Sequence, residues 1–520
     1  MLTFLFYIGV IVISYILQKS FGYAYTSITF YSDTMLYFLF TGLFSLIPKK
    51  FHGAIYLLSS IVVSFVAFMF YNAYLETGQL LSITFVTQLT SHAFCHIKAY
   101  LFFLLIPYTY LLVRNFKVMG WPSFVIAIIA LNLLYPNVKD IDLGRMQKQW
   151  NREYVVEKYG YGMYHLSDLV FNTSKLIPNY EDVEVPVKEH EDNEYTGILE
   201  GTNLIVIHAE SMEQFVIGMT INGQEVTPFL NQLVEKSIYF DNFYSQVSLG
   251  TSSDSEITFN TGLLPSQEGC TSINYFANIQ NALPSLFANE GYTTCSFHAN
   301  NGNFWNRKFF HQYLGYQTFY SMEDFDIDES IGLGLSDYSF YTQVLDILEN
   351  IDGNFMTTVI SLTNHTPFRG LETTTTLNLE DANGTARYKR YLTTVHYADS
   401  ALQYFFEQLE QRGLLENTTV VIYGDHGASL GTEEQNQKVP FIIYSPRLTP
   451  QKISKLGGMY DALPTLANMY NLTTDYTSGT DLMSDSEGFV LFVDGNYLGS
   501  TTEDIDELLK INEYIVRTRK

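Results

Sequence analysis

The chain has 520 residues, 47% of them hydrophobic and 16% aromatic, and its 54 acidic against 29 basic side chains give a net charge of −25. That length exceeds an ordinary single domain, so at least two units are expected. The acidic balance excludes a nucleic-acid surface, which needs a basic face, and the three cysteines (Cys95, Cys270, Cys295) are too few for a disulfide framework.

The charge is unevenly placed. Residues 1–137 hold six basic side chains (Lys19, Lys49, Lys50, Lys98, Arg114, Lys117) and two acids (Asp33, Glu76), a balance of +4, which leaves −29 for the remainder. A membrane unit joined to an acidic globular unit is the simplest reading. Apolar runs at 2–17, 34–48, 54–74, 99–113 and 122–135 are read as about five spans, several of which must extend into Tyr-rich flanks to reach the roughly 20 residues a bilayer requires. No small-residue cleavage signature follows the first run, so it is read as a span and not as a removed signal peptide. Lys49 and Lys50 in one loop and Arg114 and Lys117 in another mark the cytoplasmic side, which places the acidic remainder outside the cell. His92 and His96 stand four apart like a helical metal pair, but with no third ligand nearby in sequence they read as an interfacial polar face.

Residues 138–200 are charged and Tyr-rich. An amphipathic juxtamembrane helix is expected over 145–159, and 181–194 reads as a solvated connector. From Thr202 short apolar runs alternate with helical ones, the pattern of an α/β domain. NLIVIHAES, TTCSFHANN, FMTTVISLTNH and TTVVIYGDHG each read as a buried strand ending in polar residues. Helices are expected at 227–236, where Thr-Pro supplies N-cap and N1, at 397–412, stopped by Gly413, and at 462–470. Cys270 and Cys295 read as separate buried thiols.

In an open parallel sheet ligands gather at the carboxyl ends of the strands. Glu210, His298, Asn300, His365, Asp425 and His426 would therefore converge. Two carboxylates and an imidazole suit Mn²⁺, Zn²⁺ or Mg²⁺. The run LGTSSDSE, residues 249–256, then offers a hydroxyl at a helix N-terminus as a further ligand and nucleophile, with simple helix capping as the alternative.

Taken in order, HAES, NGQEVTPFLNQL, GTSSDSE, FHANNGNFWNR, LTNHTPF and YGDHG resemble the pattern of the lipoteichoic acid synthases. These are membrane phosphoglycerol transferases whose sulfatase-like domain belongs to the alkaline phosphatase superfamily. The resemblance covers about 200–485 motif by motif and 1–137 by architecture. It implies a helical transmembrane bundle (1–137), a linker (138–200), an extracellular α/β sulfatase-like domain with a central, mostly parallel sheet (201–485), and a C-terminal extension (486–520). It implies Glu210, Ser252, Asp425 and His426 as ligands of one divalent metal, manganese above all, and Ser252 as nucleophile with Thr251 as the alternative. It also implies His298, Asn300, Trp305, Arg307 and His365 as phosphoglycerol-binding residues. Ser252 stands where the family has Thr, Asn300 where many members have Asp, and the segment before VPFIIYSPRL is short.

The implied reaction moves glycerol phosphate from phosphatidylglycerol through a hydroxyl-bound intermediate to lipoteichoic acid or a related surface glycan, at a bacterial cell membrane. The alternatives are a phosphoethanolamine transferase, a sulfatase or phosphodiesterase, and a non-catalytic glycan-binding relative. No C/S-x-P-x-R sulfatase motif follows Thr251 or Ser252, and two outer cysteines do not match the disulfide-bearing phosphoethanolamine enzymes.

Overall fold

A computed structural model describes residues 2–77, 80, 97–113, 118–148, 152–172, 183–186, 191–371, 376–379, 382–430 and 438–518. Cys95, the His92/His96 pair and the basic loop residues Arg114 and Lys117 lie outside the described residues. The chain divides into two compact units, Met1–Pro178 and Asn179–Lys520.

The first unit is helical. Its helices α1 (Leu2–Ser20), α2 (Ser27–Phe44), α3 (His52–Thr77), α4 (Leu105–Val113) and α5 (Trp121–Leu134) overlap the five apolar runs. Among the described residues two segments, Thr3–Ser20 and Lys49–Asn72, are long and apolar enough to cross a membrane, with shorter apolar helices at Leu101–Tyr110 and Trp121–Asn137. The five-span expectation is therefore met by helices but not by five full-length spans. The apolar run of α2 is broken by polar side chains that turn inward: Asp33 accepts from Ser14 Oγ at 2.6 Å, and Thr34 pairs with the Tyr7 hydroxyl at 2.6 Å. The stretch expected to hold one juxtamembrane helix carries two, α6 (Asp140–Lys148) and α7 (Arg152–Asn172). Asp142 ties them together by accepting from Lys158 Nζ and from the Tyr154 and Tyr159 hydroxyls, each at 2.8 Å.

The second unit is built on an eight-stranded sheet. In chain order its strands are β1 (Asn203–Ala209), β2 (Ile238–Phe240), β3 (Thr293–His298), β4 (Thr318–Tyr320), β5 (Phe355–Ile360), β6 (Thr418–Gly424), β7 (Phe441–Tyr444) and β8 (Gln451–Ile453). Their spatial order is β8-β2-β7-β6-β1-β5-β3-β4, antiparallel only where β7 meets its two neighbours. The sheet is thus mixed, with a parallel centre. The central strands are buried on both faces and read as continuous Val/Ile runs, as a helix-covered parallel sheet demands.

The register positions the site. Tyr423, His208, Ile360 and His298 are Cα neighbours across β6, β1, β5 and β3. Four polar clusters that are far apart in sequence therefore emerge beyond one common edge.

Helices pack on this sheet: α8 (Pro228–Val234), α9 (Ser252–Thr261), α10 (Arg307–Leu314), α11 (Asp337–Leu348), α12 (Ala386–Gln411) and α13 (Ala462–Met469). α12 begins eleven residues before its expected start, because Thr385 caps it through Tyr388 N at 3.2 Å. Thr227 does not cap α8 as expected, since its hydroxyl donates to Val216 O at 2.8 Å. Asp399 of α12 fills that role by accepting from Phe229 N and Leu230 N.

The C-terminal residues, read as an extension, are integral to this unit. A hairpin (Phe489–Leu491 with Tyr497–Gly499) leads to α14 (Ile505–Thr518). There Asn512 accepts from Leu264 N at 2.8 Å and Glu513 accepts from Ser266 Oγ at 2.6 Å, which clamps the segment that follows α9. Cys270 and Cys295 are free and buried, as expected.

Candidate active site

The site begins with the turn that starts α9. Asp254 Oδ2 accepts from Ser248 N at 3.0 Å and Gly250 N at 2.7 Å, folding the loop back onto the first helical turn. A Cβ at Gly250 would collide with that carboxylate, so only glycine fits there. Thr251 follows at φ 43° and ψ −112°, a left-handed conformation that costs an L side chain of order 1–3 kcal/mol. The result is that Ser252 opens the helix with its hydroxyl turned into the site: Oγ lies 3.1 Å from His426 Nε2. No side-chain bond from Thr251 caps the helix. Simple capping therefore does not account for this turn.

At the end of β1, Glu210 is 4% exposed. Its backbone is held by the Ser361 hydroxyl at 3.0 Å and by Asn364 Nδ2 at 2.9 Å, both from the loop after β5. Its Oε1 lies 3.9 Å from His426 Nε2. At the end of β6, Asp425 is fully buried and spends Oδ1 on Ser211 N and His426 N, both at 2.7 Å. Its other oxygen, Oδ2, lies 3.2 Å from His426 Nε2 and 3.1 Å from His208 Nε2, without a hydrogen bond of normal geometry. Burial alone would raise the Asp425 pKa, but His426 and His208 beside it hold it well below the usual carboxylate range. His426 responds in kind. Burial disfavours its charge, yet Asp425 and Glu210 outweigh burial and push its pKa up.

A divalent metal fits these residues. Donors bound to one ion at about 2.0–2.2 Å stand roughly 3.0–3.5 Å from each other, which is the spacing of His426 Nε2 from Ser252 Oγ, 3.1 Å, and from Asp425 Oδ2, 3.2 Å. Asp425 Oδ2 and His208 Nε2 are buried and lack hydrogen-bond partners, as expected of groups that have another partner when the site is filled. His208, Glu210 and Asp425 form a compact potential metal-holding group, with ligand atoms within 4.8 Å of one another.

His208 was not singled out from the sequence. The signal that could have found it is period two: on a strand, His208 and Glu210 share a face, as do Tyr423 and Asp425. The Tyr423 hydroxyl bonds His208 Nδ1 at 2.9 Å and so fixes the ring.

The residues expected to bind glycerol phosphate are only partly assembled. His298 ends β3, 2% exposed, with Nε2 unpartnered and its pKa depressed by burial and by Arg307. Asn300 turns back on its own loop and accepts from Asn301 N at 2.7 Å. Trp305 is buried at φ 58°. Arg307 is 1% exposed, and its fork is taken: Nε and Nη2 reach Glu256 Oε1 at 2.9 and 2.6 Å. His311 adds a bond to Glu256 Oε2 at 2.7 Å. Only Nη1 of Arg307 lacks a partner, so a bidentate grip on phosphate through the forked edge is not open in this arrangement. His365 sits half-buried on the loop after β5.

A mixed sheet with acid and imidazole donors at its strand ends, facing a helix-opening serine, defines a domain of the alkaline phosphatase-like class. The sulfatase family model matches residues 202–472, more than half of the 520-residue chain, and the chain belongs to that family. Its similarity runs to the lipoteichoic acid synthases. It is 31% identical over 420 residues to lipoteichoic acid synthase 1 of Bacillus subtilis, a match covering 74% of this chain and 65% of that protein. The crystal structure of the lipoteichoic acid synthase LtaP from Listeria monocytogenes superposes with a TM-score of 0.57 at 25% identity, over 64% of this chain and 94% of that one. A Vibrio parahaemolyticus protein of the alkaline phosphatase superfamily shares the fold at a TM-score of 0.52 and 17% identity, over 73% and 95% of the two chains. The chain spans just under two thirds of the length of the first curated relatives it matches, 65%, 62% and 64% of them.

Proposed function

We propose that this protein is a membrane-anchored phosphoglycerol transferase that moves glycerol phosphate from phosphatidylglycerol to lipoteichoic acid or a related surface glycan. The observation that carries this reading is the Ser252 hydroxyl 3.1 Å from His426, with Asp425 and Glu210 behind it. Glu210, Ser252, Asp425 and His426 hold one divalent ion, manganese in the first instance. When bound, the ion neutralises the two carboxylates, acidifies a hydroxyl and stabilises charge on a phosphoryl oxygen.

The chemistry then falls to this chain's own groups. Ser252 Oγ attacks phosphorus as the bond to the diacylglycerol oxygen breaks, and the serine proton ends on that oxygen. An acceptor hydroxyl next attacks phosphorus as the bond to Ser252 Oγ breaks, and Ser252 takes up the proton that the acceptor hydroxyl loses. His298, Trp305, His365 and Arg307, through its remaining Nη1, bind the glycerol phosphate. The helices over 1–137 form five spans and the acidic unit lies outside the cell. Anchoring there raises the effective concentration of a lipid donor.

The test is release of diacylglycerol from fluorescent phosphatidylglycerol by the purified full chain with Mn²⁺, together with mass spectrometry of the Ser252 peptide. Release, with a glycerophosphate adduct on that peptide, is expected. No release under Mn²⁺, Mg²⁺ or Zn²⁺ overturns the reading, and turnover of phosphatidylethanolamine instead moves it to a phosphoethanolamine transferase.

A further inference from the structure

Both backbone groups of Glu210 are held by side chains of another loop, the one that leaves β5. Glu210 N donates to Ser361 Oγ at 3.0 Å, and Asn364 Nδ2 donates to Glu210 O at 2.9 Å. The ladder of β5 stops at Ile360, so the sheet alone does not shape residues 361–364. The placement of Glu210 therefore depends on whatever fixes that turn.

The group that fixes it is a carboxylate outside the strand-end cluster. Asp337 opens α11 and is fully buried. Its Oδ1 accepts from Leu362 N at 3.0 Å and from Thr363 N at 3.1 Å, and Asp337 N donates to Thr363 Oγ1 at 3.0 Å. Two successive N–H groups converging on one oxygen form an anion-holding turn, and leaving them buried without an acceptor is unfavourable. Among the described residues no other acceptor meets either N–H. Asp337 is itself held in place. Ser336 caps α11 by accepting from Ser339 N at 3.3 Å, and an acid in the first turn suits the helix dipole. The short strand pair before it, Ser330–Ile331 with Gly334–Leu335, is pressed onto two strand ends. A Cβ at Gly334 would stand 2.6 Å from Ala299 O, just past β3, and 2.7 Å from Leu362 Cδ2, just past β5. From α12, Thr394 Oγ1 donates to Asn364 Oδ1 at 2.6 Å, which leaves the Asn364 amide nitrogen for Glu210.

We infer that Asp337 is a positioning residue of the metal site: through Leu362 and Thr363 it fixes the turn whose Ser361 and Asn364 side chains hold Glu210 where it meets the ion. The inference rests on the proposed reading of Glu210 as a metal ligand. Asp337 touches neither the ion nor the substrate in this role and acts only through the turn.

The test is Mn²⁺ binding to the full chain in detergent, followed by calorimetry without substrate, alongside thermal unfolding and diacylglycerol release. Asp337→Ala is expected to weaken Mn²⁺ binding about tenfold, the scale on which groups that orient a metal ligand act, and to lower kcat at limiting Mn²⁺. Asp337→Asn keeps an oxygen that accepts from both N–H groups and should recover most of the affinity. Leu345→Ala truncates a buried side chain of the same helix without touching the turn. It should lower the unfolding temperature at least as much while keeping the wild-type Kd. A wild-type Kd in Asp337→Ala overturns the inference, and so does an equal loss of affinity in Leu345→Ala. If Asp337→Ala does not fold, Thr363→Val removes only the bond from Asp337 N and is expected to weaken Mn²⁺ binding about threefold, the effect of one hydrogen bond; an unchanged Kd there overturns the inference. A wild type that binds Mn²⁺ with this dependence on Asp337 but releases no diacylglycerol would sink the transferase reading and leave the positioning role standing.

Discussion

Ser252 and Thr251 are adjacent hydroxyls, and the backbone separates their roles. Thr251 occupies the left-handed turn, while Ser252 takes the first helical position with Oγ against His426. Ser252→Ala is expected to lower diacylglycerol release by on the order of 10³-fold or more, as removal of a nucleophile does. Thr251→Gly should keep activity and stabilise the protein by about 1 kcal/mol in denaturant unfolding, by relieving the strained φ. Equal activity of wild type and Ser252→Ala would move the nucleophile to another hydroxyl. His208 is argued at the same scale. It touches Asp425 Oδ2 and is held by Tyr423, so His208→Gln should weaken Mn²⁺ binding by roughly 10–100-fold in calorimetry. Unchanged affinity would make it a packing residue.

The element that organises the site is α9. All ten of its residues are buried, and it carries Asp254 and Glu256 into the interior. Glu256 is tolerated because Arg307 and His311 neutralise and hydrogen-bond it. Burial would raise its pKa, and these partners reverse that and hold it well below the usual range. Removing one partner leaves a buried charge, so Arg307→Ala should cost about 3–5 kcal/mol of stability. The pH sign follows from the depressed value. Because the folded carboxyl binds its proton more weakly than the unfolded one, the contribution of Glu256 is fully present above its ordinary pKa of 4.5 and is lost as pH falls below it. Wild type should therefore destabilise more steeply between about pH 5 and 3 than Glu256→Gln does, read by thermal unfolding. Parallel pH profiles for the two proteins would contradict this account of the ion pair.

For the whole molecule, the candidate metal site joins the ends of β1 and β6 to the start of α9, so an ion held there would bind the folded state and not the unfolded chain. Saturating Mn²⁺ should raise the unfolding temperature of the wild type, by free energy of about 3 kcal/mol at a hundredfold excess over Kd, and EDTA should reverse it. A shift of equal size in a Glu210→Ala/Asp425→Ala variant would show that the ion binds elsewhere. The two described thiols report on integrity of the same unit. Burial pushes Cys270 up to about 12 and Cys295 up to about 11, so both should resist alkylation at pH 8 until the domain unfolds.

The sequence by itself determined the alternation of elements, the polar strand ends and the hydroxyl-rich turn, because hydrophobic period and glycine placement are local properties. Glu210, Asp425, His426 and Ser252 were legible for that reason, as residues at the ends of recognisable runs. The buried His208 was not picked out, since its one local mark, the strand face it shares with Glu210, is one that a core histidine carries equally. The fate of Arg307 was decided only in three dimensions. FWNR reads as an arginine free for phosphate, yet burial of Glu256 on a neighbouring helix obliges Arg307 to neutralise it. Likewise the capping of α8 depends on Asp399, 170 residues from Phe229, whereas the start of α12 is set locally by the Thr385 cap.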